Sequence, residues 1–186
     1  MNIGKSRLNL ILLAICMPFM LACLYLERMV DIPEPKMEEN PDAVLKVLNG
    51  ADWVYLQALA KETYTEDDFA KPGTLTFTAT VTNDKPVYFG YGWCTTTEEI
   101  LRQNFEHITV ELFFNDQKLG NDVAHSYLYS LTNGQVCNDF GVLMSDWPAG
   151  EYHLKVVVTF NEKINDGMSD YPAGDYISEY NVTVEK

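Results

Sequence analysis

The feature that most restricts the fold of this chain is a strict two-residue alternation that begins at Gly73. Apolar residues hold every second position and threonines fill the positions between them, with Leu75, Phe77, Ala79 and Val81 set against Thr74, Thr76, Thr78, Thr80 and Thr82. Successive side chains of a β-strand point to opposite faces, so this period predicts a strand that buries one face. Comparable runs occur at 87–94, 108–114, 124–131, 136–144, 152–160 and 176–184. The chain is therefore predicted to be mainly β, with roughly seven short strands.

One helix is predicted within this series of strands. Residues 96–99, Thr-Thr-Glu-Glu, have the spacing of a capping box, and apolar residues follow at helical spacing across 100–108. Residues 83–86, Asn-Asp-Lys-Pro, predict a turn that joins the strands on either side of it as a hairpin. Short strands with turn signals at intervals of about ten residues favour an antiparallel β-sandwich with one short inserted helix.

The composition changes upstream of this body. Residues 31–43 hold three prolines and mixed charge with little to bury, so residues 23–43 are predicted to be a tether. Residues 44–72 combine helical spacing with short alternation, and both a helix and a first strand packed on the body remain open. The β-sandwich domain is expected to span 73–186.

The first 22 residues have the layout of an export signal. Lys5 and Arg7 precede an apolar run from Leu8 to Leu21, which predicts a signal or anchor helix at the N-terminus. Because the positive charges lie N-terminal to the apolar run, the positive-inside bias places the body outside the cytoplasm.

The end of the apolar run, residues 20–23 with the sequence Met-Leu-Ala-Cys, resembles the lipobox of bacterial lipoproteins. The resemblance implies that Cys23 is lipidated, becomes the new N-terminus and anchors the chain to the membrane. Residues 24–26 extend the apolar stretch to about 19 residues, just enough to span a bilayer uncleaved. An uncleaved signal anchor and ordinary cleaved secretion therefore remain alternatives to the preferred lipid anchor.

Two cysteines remain in the body of the chain. In an oxidising compartment, Cys94 and Cys137 are most simply a disulfide that closes a loop of about 44 residues, worth about 4 kcal/mol through the entropy of loop closure. A zinc site would need two further ligands at short spacing, and the sequence has no Cys-x-x-Cys or His-x-x-x-His.

The charge balance argues against polyanionic partners. The formal net charge is −14, and loss of Lys5 and Arg7 with the leader changes it to −16. Phosphate backbones would repel such a protein, and its few Lys and Arg residues are scattered rather than clustered. We expect no nucleic-acid partner.

A seven-residue segment occurs twice. Residues 146–152 read Asp-Trp-Pro-Ala-Gly-Glu-Tyr and residues 170–176 read Asp-Tyr-Pro-Ala-Gly-Asp-Tyr. Each copy is predicted to form the same turn, in which proline fixes φ, glycine supplies a positive φ and the tyrosine begins a strand. These copies, Trp93-Cys94 with Cys137, and the strand spacing across 73–186 resemble exported bacterial immunoglobulin-like β-sandwich domains. The resemblance implies that fold and carries no biochemical activity.

No group of residues has a catalytic signature. The sequence lacks Gly-x-Ser-x-Gly, and its three histidines, His107, His125 and His153, lie within or beside predicted strands. We therefore expect no catalytic residue and no cofactor. The best candidate for a metal is a calcium site at Asp166, Asp170 and Asp175, which competes with a plain Asn-Asp-Gly turn between two strands.

Aromatic residues are abundant, with eleven Tyr, nine Phe and three Trp. Sugars stack on exposed rings, so this composition admits a glycan-binding hypothesis, and a core rich in aromatic residues is the alternative. The rings expected to be able to show a face are Tyr88, Tyr91, Tyr127, Tyr129, Trp147 and Tyr171.

The function class preferred from the sequence is a non-enzymatic, membrane-tethered extracytoplasmic lipoprotein that serves as an interaction or structural module. A glycan-binding module of the cell surface is the second hypothesis and a small extracytoplasmic hydrolase is the third. An interaction module should show an apolar patch or an unpaired strand edge, whereas an enzyme needs a pocket with convergent polar groups.

The intact mass of the natively recovered protein tests the leader hypotheses. A lipoprotein is expected to begin at Cys23 and to carry added acyl mass, because the signal is removed when the cysteine is lipidated. An uncleaved anchor keeps residues 1–22, and ordinary secretion gives a shorter chain without lipid. Recovery of the full chain with Met1 from the soluble cell interior would contradict all three.

Overall fold

Alternating sequence patterns become strands throughout the part of the chain that the structure, a computed structural model, describes, namely residues 34–185. The signal segment 1–22 and Cys23 lie outside the described residues. Within 34–185, no helix is long and apolar enough to cross a membrane.

The strands are β1 (Lys36–Met37), β2 (Val54–Tyr55), β3 (Gly73–Val81), β4 (Val87–Thr95), β5 (Ile108–Phe114), β6 (Gln117–Lys118), β7 (His125–Ser130), β8 (Val136–Ser145), β9 (Gly150–Phe160), β10 (Ile164–Asn165), β11 (Asp170–Tyr171) and β12 (Gly174–Val184). The α-helices are α1 (Pro41–Leu48), α2 (Glu66–Phe69) and α3 (Glu98–Phe105), and a 3₁₀ helix spans Leu56–Leu59. The prediction of a mainly β chain is confirmed, and so is the helix inserted after Cys94.

The strands form two five-stranded sheets and one short hairpin. Sheet one has the order β1-β8-β4-β2, and β7 also pairs with β8. Sheet two has the order β3-β12-β9-β5-β6, and β10 pairs with β11 as the hairpin. The expected turn of residues 165–167 lies between β10 and β11.

Neither large sheet is purely antiparallel, which corrects the expectation of an antiparallel sandwich. Strand β3 lies parallel to β12 along its whole length, and β2 lies parallel to β4 over two residues. The predicted hairpin at 83–86 is also wrong, because β3 belongs to sheet two and β4 to sheet one. Alternation reports which face of a strand is buried and contains no information about the neighbouring strand or its direction.

One apolar core joins the two sheets. Every second residue of β9 is buried, from Tyr152 to Phe160, and these side chains share a cluster with Val87, Phe89 and Trp93 of β4. The Trp93 ring meets the Phe160 ring of the other sheet edge-on, with 5.4 Å between centroids. Burial of this alternating set is the main stabilising contribution that the sequence pattern provides.

Residues 41–55 cover part of the outer face of sheet one. Val44 of α1 is fully buried in a second cluster with Tyr88, Tyr127 and Leu143. Residues 44–72 contain the end of α1, the short strand β2, the 3₁₀ helix and α2, so the segment includes both kinds of element that its sequence left open. The tether prediction is wrong over residues 36–43, because β1 pairs with β8 and Asn40 caps α1 through the amides of residues 42 and 43.

The two copies of the repeated segment begin the paired strands β9 and β12. In each copy the tyrosine hydroxyl donates to the carbonyl of the proline four residues earlier, at 2.8 Å for Tyr152 and 2.9 Å for Tyr176. The prediction of a shared turn is confirmed in this respect. The backbone differs, because Gly174 has a positive φ of 139° whereas in the first copy the positive φ lies at Asp146.

The disulfide between Cys94 and Cys137 is present, as the sequence predicts. The two residues face each other across the β4–β8 ladder with a Cα–Cα distance of 4.0 Å. The bond therefore joins neighbouring strands of one sheet, while the adjacent Trp93 points into the core on the other face. This arrangement differs from the inter-sheet disulfide of antibody domains.

Removal of the disulfide tests how much it stabilises the domain. The variant Cys94→Ala/Cys137→Ala is expected to lower the free energy of unfolding by about 2–4 kcal/mol, because the unfolded chain gains the freedom of the opened loop. Urea denaturation of the variant, and of the wild type with and without reductant, measures the loss. A midpoint unchanged by either treatment would contradict the expected contribution.

Candidate functional site

Strand β4 leaves much of one edge without a strand neighbour. Along its whole length it pairs with β8, but on its other side β2 covers only Val87 and Tyr88. From Phe89 to Thr95, β8 is its one strand neighbour among the described residues. An unpaired edge exposes backbone donors and acceptors that another extended chain can use.

Two hydrogen bonds, one to the residue before β4 and one to Gly90, show which backbone groups face that edge. The Pro86 carbonyl accepts from the Val54 amide at 3.0 Å, and the Gly90 carbonyl accepts from the Tyr55 hydroxyl at 2.8 Å. Backbone groups alternate in direction along a strand, so those of Gly92 and Cys94 also point to the free edge. Farther along, the Thr96 amide donates to the Asp166 carbonyl at 2.9 Å. The open edge thus spans about five residues, or about 16 Å.

A cleft of about 580 Å³ lies along this edge. Its walls come from both sheets and from the segment that includes α2, and most of its lining side chains are aromatic or aliphatic. Residues from both faces of β4 line it, including Tyr91 and Trp93 on the core side and Gly92 on the outer side. A volume of this size lies within the range of ligand-binding sites in proteins.

The cleft contains one carboxylate without a cationic partner. Among its lining residues, Asp68 and Lys71 form an ion pair with 3.5 Å between their charged atoms. Asp139 of β8 is the other charged residue of the lining, and the described residues give it no ion pair. Its Oδ1 accepts one hydrogen bond, from the Tyr129 hydroxyl at 3.3 Å.

The surroundings of Asp139 disfavour its charged form. Burial raises the pKa of this carboxyl to about 6, and the hydrogen bond from Tyr129 opposes only part of that shift. The negative charge also acts on nearby phenols, since burial and then Asp139 raise the pKa values of Tyr55 and Tyr88 far above the usual range. The site is therefore a desolvated anionic position bordered by neutral phenols.

Glycines make the space that Asp139 and Tyr88 occupy. The Asp139 carboxylate lies over Gly92, its pair in the β4–β8 ladder, and any Cβ at position 92 would overlap Oδ1. Two pairs along, the Tyr88 ring lies over Gly141, where a Cβ would be 2.6 Å from the hydroxyl oxygen. Glycine within a strand often marks such a close approach.

Three buried polar atoms on the same face of sheet one have no hydrogen-bond partner within the described part of the chain. They are the hydroxyls of Tyr88 and Tyr127 and the Nε2 atom of His125. In the ladder, Tyr127 pairs with Asp139 and His125 pairs with Gly141. An unpaired buried polar atom costs about 1–3 kcal/mol, so this face carries hydrogen-bonding capacity that its own neighbours do not use.

The carboxylates of the calcium hypothesis do not converge. Asp166 accepts from the amides of residues 168 and 169 and from the Tyr171 hydroxyl. Asp170 accepts from Asn165 and pairs with Lys163, while Asp175 accepts from Thr159. Residues 34–185 hold no group of three or more His, Cys, Asp or Glu that could bind a metal ion. The structure therefore supports a turn at this position, with its carboxylates satisfied by protein donors.

Half of the rings proposed for glycan stacking are buried. Tyr88, Tyr127 and Trp147 are core residues, with relative exposures of 9% or less. Tyr91, Tyr129 and Tyr171 line the cleft.

Two of the three histidines meet carboxylates, His107 beside Glu162 and His153 beside Asp116. The hydrolase hypothesis requires a hydrogen bond between a histidine and a serine hydroxyl. In residues 34–185 no histidine makes such a bond.

Comparisons with known proteins leave the family open. No family model matches the chain, and no curated protein matches it. Among solved structures, PbICP-C from a complex with falcipain-2 is similar at 9% identity and a TM-score of 0.37, over 73% of this chain and all of that one. The cysteine protease inhibitor EhICP2 from Entamoeba histolytica is similar at 10% identity and a TM-score of 0.30, with the same coverage. Similarity at this level supports no inference about function.

The pH dependence of stability tests the environment of Asp139. The folded state holds the Asp139 proton more tightly than the unfolded chain does, so this carboxyl lowers the free energy of unfolding as pH rises from about 4 through about 6. Asp139→Asn is expected to raise the free energy of unfolding at pH 7.5 by about 1–2 kcal/mol, allowing for solvent screening, and to change little below pH 4.

Urea denaturation across this pH range measures the difference. Asp122→Asn, at an exposed carboxylate outside the cleft, is the matched control, because removal of any negative charge relieves some repulsion in this acidic chain. Equal effects of the two substitutions at every pH would contradict a special environment at Asp139.

Proposed function

We propose that this protein is a membrane-tethered extracytoplasmic binding module that captures an extended segment of a partner polypeptide along the free edge of β4. The observation that carries the proposal is the coincidence of that edge with an aromatic cleft of about 580 Å³. A strand edge supplies backbone hydrogen bonds to any extended chain, and adjoining pockets select its side chains.

The geometry of the cleft suits an added strand. The edge-facing groups of Gly92 and Cys94 can pair with the backbone of the incoming chain, as β2 pairs with β4 at Val87–Tyr88. Side chains of the added strand would alternate between the two sides of the sheet. One set would face Asp139 and Tyr129, and the other would face Tyr171 and Tyr176 of the lining.

The free edge of β4 is favoured over the other edge of sheet one. Within residues 34–185, strand β7 also has β8 as its one strand neighbour, and its Leu128 side chain is 61% exposed. The cavity lined by Ser126 and Asn138 beside it measures only about 190 Å³. That volume is small for a ligand site, whereas the β4 cleft can accept several side chains.

The sequence supports the proposed placement on the membrane. The export signal and the lipobox-like residues 20–23 support lipidation at Cys23, and the disulfide is what an oxidising compartment favours. Two sheets that share one core also support an immunoglobulin-like sandwich, in a variant with parallel pairs at two sheet edges. The body needs no catalytic residues for this role.

Peptide selection tests the proposal directly. The full chain in a mild detergent is used to select from a phage-displayed library of random dodecapeptides. Selected peptides are then synthesised with one backbone N-methyl group at each position in turn. Binding is expected to fall by about tenfold or more at every second residue, because only alternate amides of an added strand face β4.

Substitutions in the protein provide the complementary arm. Gly92→Ala places a methyl group where the Asp139 carboxylate lies. It is therefore expected to lower the affinity for the selected peptides by about tenfold. Gly120→Ala is the matched control. Its methyl group also displaces a carboxylate, that of the exposed Asp122, but neither residue lines the cleft.

Three outcomes contradict the proposal. The first is a library that yields no peptide that binds at the cleft. The second is an N-methyl scan in which the loss of binding shows no two-residue period. The third is tight binding on a glycan array that Gly92→Ala abolishes, which would favour the glycan-binding hypothesis.

A further inference from the structure

Charge is distributed unevenly in the β4 cleft. Of its three charged residues, Asp68 and Lys71 neutralise each other, and Asp139 has no ion pair within the described part of the chain. A carboxylate in a partly buried site is costly unless a cation or several donors compensate it, and Asp139 has one phenol donor at 3.3 Å. A bound cation would supply what the protein itself does not.

Aromatic residues of the cleft lining also suit an organic cation. Trp53, Tyr55 and Tyr129 line the same cleft and present electron-rich rings, which attract ammonium and guanidinium groups. Trp53 and Tyr55 are held in place by contacts with the Tyr88 ring, at centroid distances of 5.9 and 5.7 Å. The strongly acidic body adds a long-range attraction for positively charged partners.

We propose that the cleft recognises a basic side chain, lysine or arginine, of the bound polypeptide, with Asp139 as its counter-charge and the rings of Trp53, Tyr55 and Tyr129 around it. This inference rests on the proposed function for the polypeptide ligand. Asp139 sets the specificity of the site by leaving a buried unpaired charge when a neutral side chain binds. The free β4 edge aligns the backbone of the ligand so that one of its side chains enters on the Asp139 side.

Small cations test the site without any assumption about the whole ligand. The probes are the methyl amides of Nα-acetyl-lysine and Nα-acetyl-arginine, with the neutral analogues made from norleucine and citrulline. Amide resonances of Gly90 and Gly92 in the full chain in detergent micelles report binding by NMR. The two cations are expected to shift these resonances at concentrations at least about tenfold lower than the neutral analogues.

The pH profile is the second readout. With the pKa of Asp139 raised to about 6, cation binding is expected to weaken by about tenfold between pH 7 and pH 5. The phenols that face this group, on β2, β4 and β7, keep raised pKa values and remain neutral over that range, namely Tyr55, Tyr88, Tyr127 and Tyr129. His125 lies on the same face of β7 as Tyr127 and Tyr129, and Asp68 and Lys71 also line the cleft.

Variants separate these groups. Asp139→Asn is expected to abolish the preference for cations and the pH dependence together, whereas His125→Gln and Asp122→Asn keep both. Each variant's unfolding curve shows whether it is folded. Equal binding of cations and neutral analogues by the wild type would overturn the inference, and so would a pH profile that survives Asp139→Asn but not His125→Gln.

The two proposals fail in different ways. Selected dodecapeptides that show the two-residue N-methyl period without a required basic residue would overturn the cation inference and leave the binding module standing. Cation probes that bind at Gly92 while no dodecapeptide is selected would overturn the polypeptide ligand and support the cation site.

Discussion

The nine-residue ladder between β4 and β8 is the interaction on which the rest of this structure depends. It pairs Val87–Thr95 with Val136–Met144, and the alternation along it sends Phe89 and Trp93 into the core shared with sheet two. The opposite face receives Tyr88, the disulfide and Gly92, which lies under the Asp139 carboxylate. The shared core, the Cys94–Cys137 disulfide and the cleft therefore all depend on the register of the β4–β8 ladder. A shift by a single residue would exchange the two faces of β4 and remove all three.

The open edge of β4 is maintained by what lies at its two ends. At one end the Tyr55 hydroxyl donates a hydrogen bond to the Gly90 carbonyl. At the other end the Thr96 amide donates to the Asp166 carbonyl. The segment containing α2 also lines the cleft. Such partial coverage limits edge-to-edge association between copies and leaves a defined length for a ligand.

Strand positions were predictable from the sequence because burial of one face imposes the two-residue period. Each of the seven main runs became a strand within a few residues of its predicted bounds, and the pairing of Cys94 with Cys137 was predicted from their number and from the oxidising compartment that the leader pattern indicates. Strand partners were not predictable in the same way. The turn at 83–86 carries the chain from one sheet to the other, and nothing in its composition distinguishes that path from a hairpin.

The candidate site was missed for a related reason. Asp139 lies in a run that was correctly predicted as a strand, but its role depends on Gly92, which is opposite it only because of the β4–β8 register. A signal was present in the glycines at 90, 92 and 141, since glycine inside a strand often marks a close approach of other groups. That signal indicates crowding and does not identify the side chain responsible.

The two Asp-aromatic-Pro-Ala-Gly segments have a further mechanical consequence. They sit at opposite ends of the β9–β12 ladder, because Gly150 pairs with Val184 and Gly174 pairs with Phe160. Each phenol–carbonyl bond joins two residues of the same copy, four apart in sequence, so it holds the turn that precedes β9 or β12 in one conformation. Because Tyr176 pairs with Gly73 of β3, the turn of the second copy stands beside the start of β3, where Gly73 and Leu75 form part of the cleft wall.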